Sequence, residues 1–235
     1  MKSLVRLFII SFSAALLFLP ATGHSCMKWV LYDDFESGYF DPTLWQVQGE
    51  EQGCTVTIED GKAKFDHGEC FPPDPGTLGC ECILSFADNP ESIVGVRVKV
   101  TVQSGAENIL VAGIGSWIGK LGPEIRIWNE LALSPDRILS YLWVNEEGKG
   151  TIYDLHNSSF KSPIEINQET FTITTVFRRG LVTYEVEGLG KTIFRPPQWM
   201  SKTDRFYKVL HTIGNGDFIV YMDDVQVLRK IYPFR

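Results

Sequence analysis

The residues best suited to chemistry lie in one short string, Glu124-Ile-Arg-Ile-Trp-Asn-Glu130. Its alternation has the period of two that is typical of a β-strand, which predicts that Glu124, Arg126 and Trp128 share one face. Trp128 offers a flat apolar surface to a sugar ring, and the two charged side chains offer donors and acceptors to its hydroxyl groups. The string therefore predicts a ligand-binding strand.

A second aromatic string follows at Arg137 to Asn145. The same alternation places Tyr141 and Trp143 on a single face, where they would extend an aromatic platform begun by Trp128. The alternative is that these tryptophans fill the interior of a sandwich, since aromatic side chains dominate such cores. Both interpretations stay open for Trp128 and Trp143.

Five cysteines remain after residue 23. One is Cys26, and the other four lie close together in the sequence, at Cys54, Cys70, Cys80 and Cys82. In an exported protein this pattern indicates disulfides among the crowded four, with a connectivity that sequence alone does not settle. A zinc site made of His67 with Cys70, Cys80 and Cys82 is the alternative. The spacing Cys-x-Cys is unusual for zinc, so the disulfide interpretation is preferred.

The N-terminus indicates export. Lys2 and Arg6 precede an apolar run from Leu7 to Leu19, which is long enough for a signal peptide and short for a membrane span. Small residues at 21–23 predict cleavage before His24, so the expected domains are a signal peptide, 1–23, and one mature domain, 24–235. An uncleaved anchor and a lipid-modified Cys26 are the minor alternatives.

Charge and length exclude several classes of protein. The net charge of −7 becomes −9 when Lys2 and Arg6 leave with the signal peptide, and an acidic surface repels nucleic-acid backbones. The mature chain has no second apolar stretch of about 20 residues, so no transmembrane span is expected there. Without linkers or repeats, the mature chain is predicted to form one domain.

Short apolar runs of period two, bounded by Gly, Pro, Asn and Asp, predict an all-β fold. The clearest unit is the hairpin from Cys54 to His67, in which Asp60-Gly61 suits a type I′ turn. Cys54 falls on the inward face of this hairpin, which favours a buried disulfide. The further predicted strands are 92–102, 108–114, 124–133, 137–145, 150–155, 169–178, 181–188, 191–194, 207–214 and 217–228.

Both ends of the mature chain carry motifs of a known superfamily. Leu31-Tyr-Asp-Asp-Phe-Glu-Ser-Gly-Tyr-Phe-Asp-Pro-Thr-Leu-Trp45 resembles the opening strand of concanavalin A-like lectins and glucanases, and Phe218-Ile-Val-Tyr-Met-Asp-Asp-Val-Gln-Val-Leu228 is similar to their closing strand. The resemblance implies a laminin-G-like jelly roll, a two-sheet antiparallel β-sandwich. It also implies that the first and last strands lie side by side.

The same resemblance implies one structural calcium ion. In glucanases of this superfamily the aspartate of the closing strand binds calcium, and the matching residue is Asp223. Calcium takes six to eight oxygen ligands, and Glu36, Asp33 or Asp34 would add carboxylates if the terminal strands pair.

The resemblance breaks at the catalytic strand. Glucanases carry E-[IL]-D-x-E there, whereas this chain has Arg126 in place of the helper aspartate and Trp128 in place of the second glutamate. Glu130 would lie about 20 Å from Glu124 along a strand, too far for a retaining pair at about 5 to 5.5 Å. No catalytic residue is therefore assigned.

The leading interpretation is a secreted, non-catalytic, lectin-like protein that binds a polysaccharide. Its glycan would be held on the concave sheet by Glu124, Arg126, Trp128, Tyr141 and Trp143. One alternative is a polysaccharide-degrading enzyme with a non-standard acid/base pair, either a glycoside hydrolase or a lyase, for which His211 or Tyr141 could serve as base. Another is an extracellular protein-binding or structural module.

Overall fold

A computed structural model describes residues 26–48, 53–68, 79–87, 93–118, 125–135, 137–146, 149–154, 160–161, 165–178, 181–195 and 206–231. For 117–118, 125–129, 141–146, 149–154 and 206–207 it describes the backbone alone. The predicted signal peptide, 1–23, lies outside the described residues. No helix in the described part of the chain is long and apolar enough to cross a membrane.

Fifteen strands and one short 3₁₀ turn account for the regular structure of these residues. The strands are β1 (Cys26–Asp33), β2 (Trp45–Gln48), β3 (Thr55–Glu59), β4 (Lys62–Asp66), β5 (Cys80–Phe86), β6 (Ile93–Ser104), β7 (Ile109–Ile118), β8 (Ile125–Ser134), β9 (Arg137–Glu146), β10 (Lys149–Asp154), β11 (Thr170–Arg178), β12 (Leu181–Val186), β13 (Gly190–Phe194), β14 (Phe206–Gly214) and β15 (Ile219–Ile231). The 3₁₀ turn is Ala106–Asn108.

The strands form two antiparallel sheets. The eight-stranded sheet has the order β13-β12-β11-β6-β15-β4-β3, with β1 also paired to β15, and the seven-stranded sheet has the order β10-β9-β8-β7-β14-β5-β2. Neighbours such as β6 and β15 are far apart in the chain, as two-sheet jelly rolls require. The predicted β-sandwich is confirmed.

The two ends of the sandwich pair as the family resemblance implies. Strand β1 runs antiparallel to β15, with Cys26 opposite Ile231 and Asp33 opposite Val225. The register shifts between Leu31 and Asp33, at a bulge that precedes the turn after β1. The first and last strands of the chain therefore lie side by side.

The predicted hairpin is also present. Strands β3 and β4 pair with Glu59 opposite Lys62, so Asp60 and Gly61 are the two turn residues. Their φ angles of 51° and 68° are both positive, which a type I′ turn requires. A Cβ on Gly61 would lie 2.7 Å from the Glu36 carboxylate oxygen Oε1, so the Glu36 side chain would have to move to admit a larger residue.

The core fills the space between the sheets, because alternate residues of each strand face inward. Phe35, Phe65, Phe218 and Tyr184 are among its largest fully buried side chains. Burying one phenylalanine side chain contributes roughly 1.5–3 kcal/mol. The aromatic rings of Tyr32, Phe35, Trp45 and Phe86 also contact one another near the start of the domain.

Two strands were absent from the sequence prediction. Strand β2 has only four residues, and β5 follows a proline-rich stretch that obscured its pattern. Along β5 the inward residues are Cys80, Cys82, Leu84 and Phe86, and the residues between them are less buried. That alternation is the period-two signal that would have predicted β5.

The inward position of Cys54 is confirmed, since it forms a buried disulfide with Cys82 at a Cα–Cα distance of 6.1 Å. Cys80 is disulfide-bonded as well, while Cys70 lies outside the described residues. Because neither Cys80 nor Cys82 is a free thiolate, the alternative zinc site with His67 is wrong. Cys26 is free and exposed at the start of β1.

Candidate functional site

The seven-stranded sheet has an inner face toward the core and an outer face away from it. On β8, Leu131 and Leu133 belong to the core, so Glu130 and Ala132 lie on the outer face. On β14, Leu210 belongs to the core and His211 lies on the outer face. On β5, Cys82 and Leu84 face inward, which places Glu81 outward.

Three of these outward residues form a carboxylate–imidazole–carboxylate chain. Nε2 of His211 lies 2.8 Å from Oε1 of Glu130, and Nδ1 of the same ring lies 3.3 Å from Oε1 of Glu81. The side chains of His211 and Glu130 are completely buried, whereas that of Glu81 is 37% exposed. Glu81 is therefore the end of the chain that solvent can reach.

Glycines on β7 make the bond between His211 and Glu130 possible. Strand β7 lies between β14 and β8, with Gly113 opposite His211 and Gly115 opposite Glu130. Neither glycine has a side chain, so the imidazole and the carboxylate can meet across this strand. A Cβ on Gly113 would also lie 2.2 Å from the Leu131 carbonyl oxygen, which excludes any larger residue.

The carboxylates keep the imidazole charged. Burial lowers the pKa of His211, but the charge and hydrogen bond of Glu130, together with those of Glu81, outweigh it and raise the pKa from 6.5 to about 9. At neutral pH both ring nitrogens are then donors, one to each carboxylate. The Nδ1 proton of the charged imidazole thus lies within hydrogen-bond reach of the Glu81 side chain.

A second histidine, His67, follows β4 of the eight-stranded sheet and packs against the inner face of the seven-stranded sheet. Thr212 follows His211 on β14 but faces inward, where its Oγ1 lies 2.6 Å from Nε2 of His67. The His67 ring stacks on Phe218 with centroids 3.9 Å apart, and no hydrogen-bond partner of its Nδ1 lies in the described part of the chain. Burial lowers the pKa of His67 to about 4, so this ring is neutral and belongs to the core.

The predicted ligand-binding residues lie on β8 and β9. The register of these strands sets Arg126 opposite Asn145, Trp128 opposite Trp143 and Glu130 opposite Tyr141. Glu124 lies outside the described residues. The backbone thus brings the two predicted aromatic strings onto neighbouring strands of the seven-stranded sheet.

The predicted calcium ligands lie at the turn after β1 and on β15. Oδ1 of Asp223 accepts a hydrogen bond from the backbone N–H of Asp224 at 2.6 Å, and burial raises the pKa of Asp223. The Glu36 carboxylate lies against the turn at Gly61. Asp33 accepts hydrogen bonds from the Phe35 backbone N–H at 2.8 Å and the Trp45 indole N–H at 2.6 Å, so it stabilises the turn.

Sequence reasoning missed the three-residue chain for identifiable reasons. Glu81 belongs to β5, one of the two strands that were not predicted, and Glu130 was considered only as a partner of Glu124. His211 was named as a candidate base, but without a partner. The useful signals were the alternation along β5 and the glycines at 113 and 115, which open space between neighbouring strands.

No protein-family model and no curated protein matches the chain, but several solved structures do. The chain is similar to an endo-1,3-β-glucanase (laminarinase) domain from Thermotoga petrophila, with 12% identity, a TM-score of 0.56 and coverage of 87% of this chain and 99% of that one. It is also similar to a β-porphyranase from Bacteroides plebeius, with 13% identity, a TM-score of 0.59 and coverage of 88% of this chain and 94% of that one. For a non-specific endo-β-1,3(4)-glucanase of family GH16 the identity is 14%, the TM-score is 0.60, and the coverage is 90% of this chain and 94% of that one.

These similarities confirm the fold that the terminal motifs indicated. The chain has the concanavalin A-like jelly-roll fold in the form seen in laminarinase and glucanase domains. At 11–14% identity the likeness concerns the fold.

The comparisons also correct the leading functional interpretation. A non-catalytic, lectin-like protein was predicted, and an enzyme was considered the less favoured possibility. The similar structures are named as glucanases, laminarinases and a porphyranase, which are glycan-cleaving enzymes. The leading prediction of a lectin is therefore wrong, and the similar structures favour the alternative prediction of a glycoside hydrolase.

Proposed function

We propose that this protein is a glycoside hydrolase that cleaves a polysaccharide lying across the outer face of the seven-stranded sheet. The observation that carries the proposal is the Glu81–His211–Glu130 chain, which sets a charged imidazole behind a solvent-accessible carboxylate. Similar solved structures that act on β-glucans and porphyran share the fold and support the same class of substrate.

Glu81 is the proposed proton-exchanging carboxyl group. Glycoside hydrolysis needs one carboxyl group that protonates the leaving oxygen and a second that acts as base or nucleophile. His211 donates to Glu81 and holds a proton beside it, while Glu130 keeps the imidazole oriented and charged. His211 and Glu130 are thus positioning residues, since both side chains are completely buried.

Glu124, which directly precedes β8 in the sequence, is the proposed second carboxyl group. Arg126, Trp128, Tyr141 and Trp143 are proposed to bind the sugar rings that flank the cleaved bond. Tryptophan and tyrosine suit that task because their rings stack on the apolar face of a sugar and their polar atoms reach its hydroxyl groups.

The experiment is reducing-sugar release from β-1,3-glucan, mixed-linkage β-1,3-1,4-glucan and porphyran. Wild-type protein should cleave at least one of them, and Glu81→Gln should lower kcat by 10²-fold or more because the carboxyl group that exchanges the proton is lost. Glu59→Gln, an exposed glutamate on β3 in the other sheet, is the matched control and should cleave normally. Full activity of Glu81→Gln, or no cleavage by wild type, would refute the assignment.

We further propose that the protein is secreted after removal of residues 1–23, as a single domain from 24 to 235. The mass of the mature protein recovered from the medium or periplasm tests this, because cleavage before His24 gives one expected value. An added mass of a lipid on Cys26 would instead support the lipoprotein alternative.

We also propose that Asp223 and Glu36 bind a structural calcium ion. If it binds, calcium should raise the Tm of wild-type protein after chelator treatment, since a ligand of the native state stabilises it by mass action. Asp223→Asn should abolish that shift and leave the Tm in chelator nearly unchanged. Equal calcium responses of wild type and Asp223→Asn would exclude this residue as a ligand.

A further inference from the structure

The outer face of the eight-stranded sheet carries a polar cavity of about 290 Å³. It lies on the other side of the sandwich from the Glu81–His211–Glu130 chain, and its walls come from β6, β11, β12 and β15. The lining side chains are Arg97, Lys99, Thr172, Thr174, Glu185, Glu187, Asp224 and Gln226. Its volume is near the lower end of ligand pockets, roughly 300–1,000 Å³.

Some of the charges that line the cavity are already paired. Lys99 forms an ion pair with Asp224, and Lys191 forms one with Glu185 at 2.9 Å. These two pairs neutralise two of the three carboxylates that line the cavity. A ligand therefore meets little net charge from these four residues.

Arg97 is held in place but keeps donors available. Its guanidinium carbon lies 4.5 Å from the centroid of the Trp29 ring, and its Nε donates to Oγ1 of Thr174 at 3.2 Å. Thr174 is itself 6% exposed. The Nη groups of Arg97 have no carboxylate partner within the described ranges, so a rigid planar donor faces the cavity.

The other free side chains that line the cavity can accept hydrogen bonds, and two of them can also donate. The side chains of Glu187, Gln226 and Thr172 form no hydrogen bond or ion pair with any other residue that the structure describes. Glu187 accepts only, Gln226 both donates and accepts, and the Thr172 hydroxyl does the same. The cavity thus combines a fixed donor, a free acceptor and two adaptable groups.

We propose that this cavity is a second glycan-binding site, which takes a neutral sugar unit of a polysaccharide. Sugar hydroxyl groups donate and accept together, as the free groups of the cavity require. A charged sugar gains little, because the Arg97 guanidinium and the Glu187 carboxylate oppose each other's charge in the same cavity. The proposal goes beyond the proposed hydrolysis, because the site lies on the opposite sheet and would hold polymer without cleaving it.

Affinity electrophoresis in gels that contain soluble β-1,3-glucan tests the site. Arg97→Lys, which keeps the charge but loses the planar donors, and Gln226→Ala should each weaken retardation about tenfold, the loss of one good hydrogen bond. Lys64→Ala is the control, since Lys64 lies on the same sheet outside the cavity and pairs with Glu59 and Asp66. It should be retarded like wild type.

Amide chemical shifts of wild-type protein titrated with short β-1,3-glucan oligosaccharides provide a test without variants. The expected shifts include residues of β6, β11 and β15 around Arg97, Thr174 and Gln226. Shifts confined to the seven-stranded sheet, or unchanged retardation of both variants, would overturn the proposal. So would retardation by sulfated polysaccharide alone.

Both readouts report binding, and both can be repeated with Glu81→Gln, in which the proposed cleavage is lost. If wild type binds glucan through this cavity but cleaves no polysaccharide, the second site stands and the proposed hydrolase fails. If Glu81→Gln loses cleavage while Arg97→Lys binds like wild type, the reverse holds.

Discussion

Glu130 and His211 are 81 positions apart in the chain, yet their side chains lie 2.8 Å apart and are completely buried. They meet across β7, a strand whose facing positions are Gly113 and Gly115. A buried ion pair of this kind adds little stability over an apolar pair of the same shape, but losing one partner leaves an uncompensated charge. The pair therefore has consequences that can be measured.

Glu130→Gln should destabilise the protein and lower the pKa of His211 from about 9 toward 6.5 or below, because burial then acts with only Glu81 to oppose it. The expected loss of unfolding free energy is about 3 kcal/mol. Urea unfolding gives the stability, and NMR titration of the imidazole gives the pKa. Glu81→Gln should lower the unfolding free energy by less, because the Glu81 side chain is 37% exposed. A larger loss in Glu81→Gln than in Glu130→Gln would contradict this prediction.

The same shift predicts a loss of stability at alkaline pH. The folded pKa of His211 lies above the unfolded value, so its contribution is complete below pH 6.5 and disappears as the pH rises through about 9. In wild type, unfolding free energy should fall by an amount on the order of 3 kcal/mol across that window. The fall should be absent in His211→Gln, and an unchanged slope in that variant would assign it to other groups.

His67 predicts the opposite behaviour in acid. Its folded pKa of about 4 lies below the unfolded value of 6.5, so only the unfolded chain binds a proton between those values. Stability should therefore be lost as the pH falls from 6.5 to 4, by an amount on the order of 3 kcal/mol. A urea series at several pH values measures it. In His67→Gln this segment of the profile should flatten, and a slope equal to that of wild type would exclude His67.

Gly113→Ala should cost about 2–4 kcal/mol, because the new Cβ would lie 2.2 Å from the Leu131 carbonyl oxygen and force β7 and β8 apart. Gly38→Ala is the matched control: nothing lies within 4 Å of its Cβ position, so only its φ of 74° adds a cost of about 1 kcal/mol. Thermal unfolding of both variants gives the comparison. Equal losses would show that close packing at Gly113 is unimportant.

Replacing both Cys54 and Cys82 with alanine should lower stability by roughly 3–4 kcal/mol, since the disulfide closes a loop with a separation of 28 residues. The double variant avoids a free buried thiol. Urea unfolding compares it with wild type under non-reducing conditions. Cys26→Ala, at the exposed free cysteine, should have no effect, and a similar loss there would point to general sensitivity of the N-terminal strand.

Much of the fold could be predicted from short sequence patterns, because turns and strand alternation are determined by a few neighbouring residues. Asp60-Gly61 predicts the hairpin, since two positive φ angles suit those residues and few others. The terminal motifs predicted the pairing of β1 with β15, which the register from Cys26 to Asp33 confirms. Strand β2 escaped because four residues are too short to show a period.

The candidate site was less accessible to sequence reasoning. Glu124, Arg126 and Trp128 were chosen because a family motif pointed to them, and the similar structures have since favoured an enzyme over a lectin. Glu81 and His211, by contrast, are 130 positions apart and resemble no motif. They come into contact only because β5 and β14 are neighbouring strands in the folded sheet.

The sequence by itself determined which residues alternate, where the chain turns and that Cys54 faces inward. It determined these things because φ preferences and a period of two act over a few residues. The tertiary structure alone decided that Glu81, His211 and Glu130 touch, and that Arg97, Glu187 and Gln226 line one cavity. The reason is physical: side-chain alternation assigns a face to each residue, but only the order of strands in the folded sheet decides which residues on that face become neighbours.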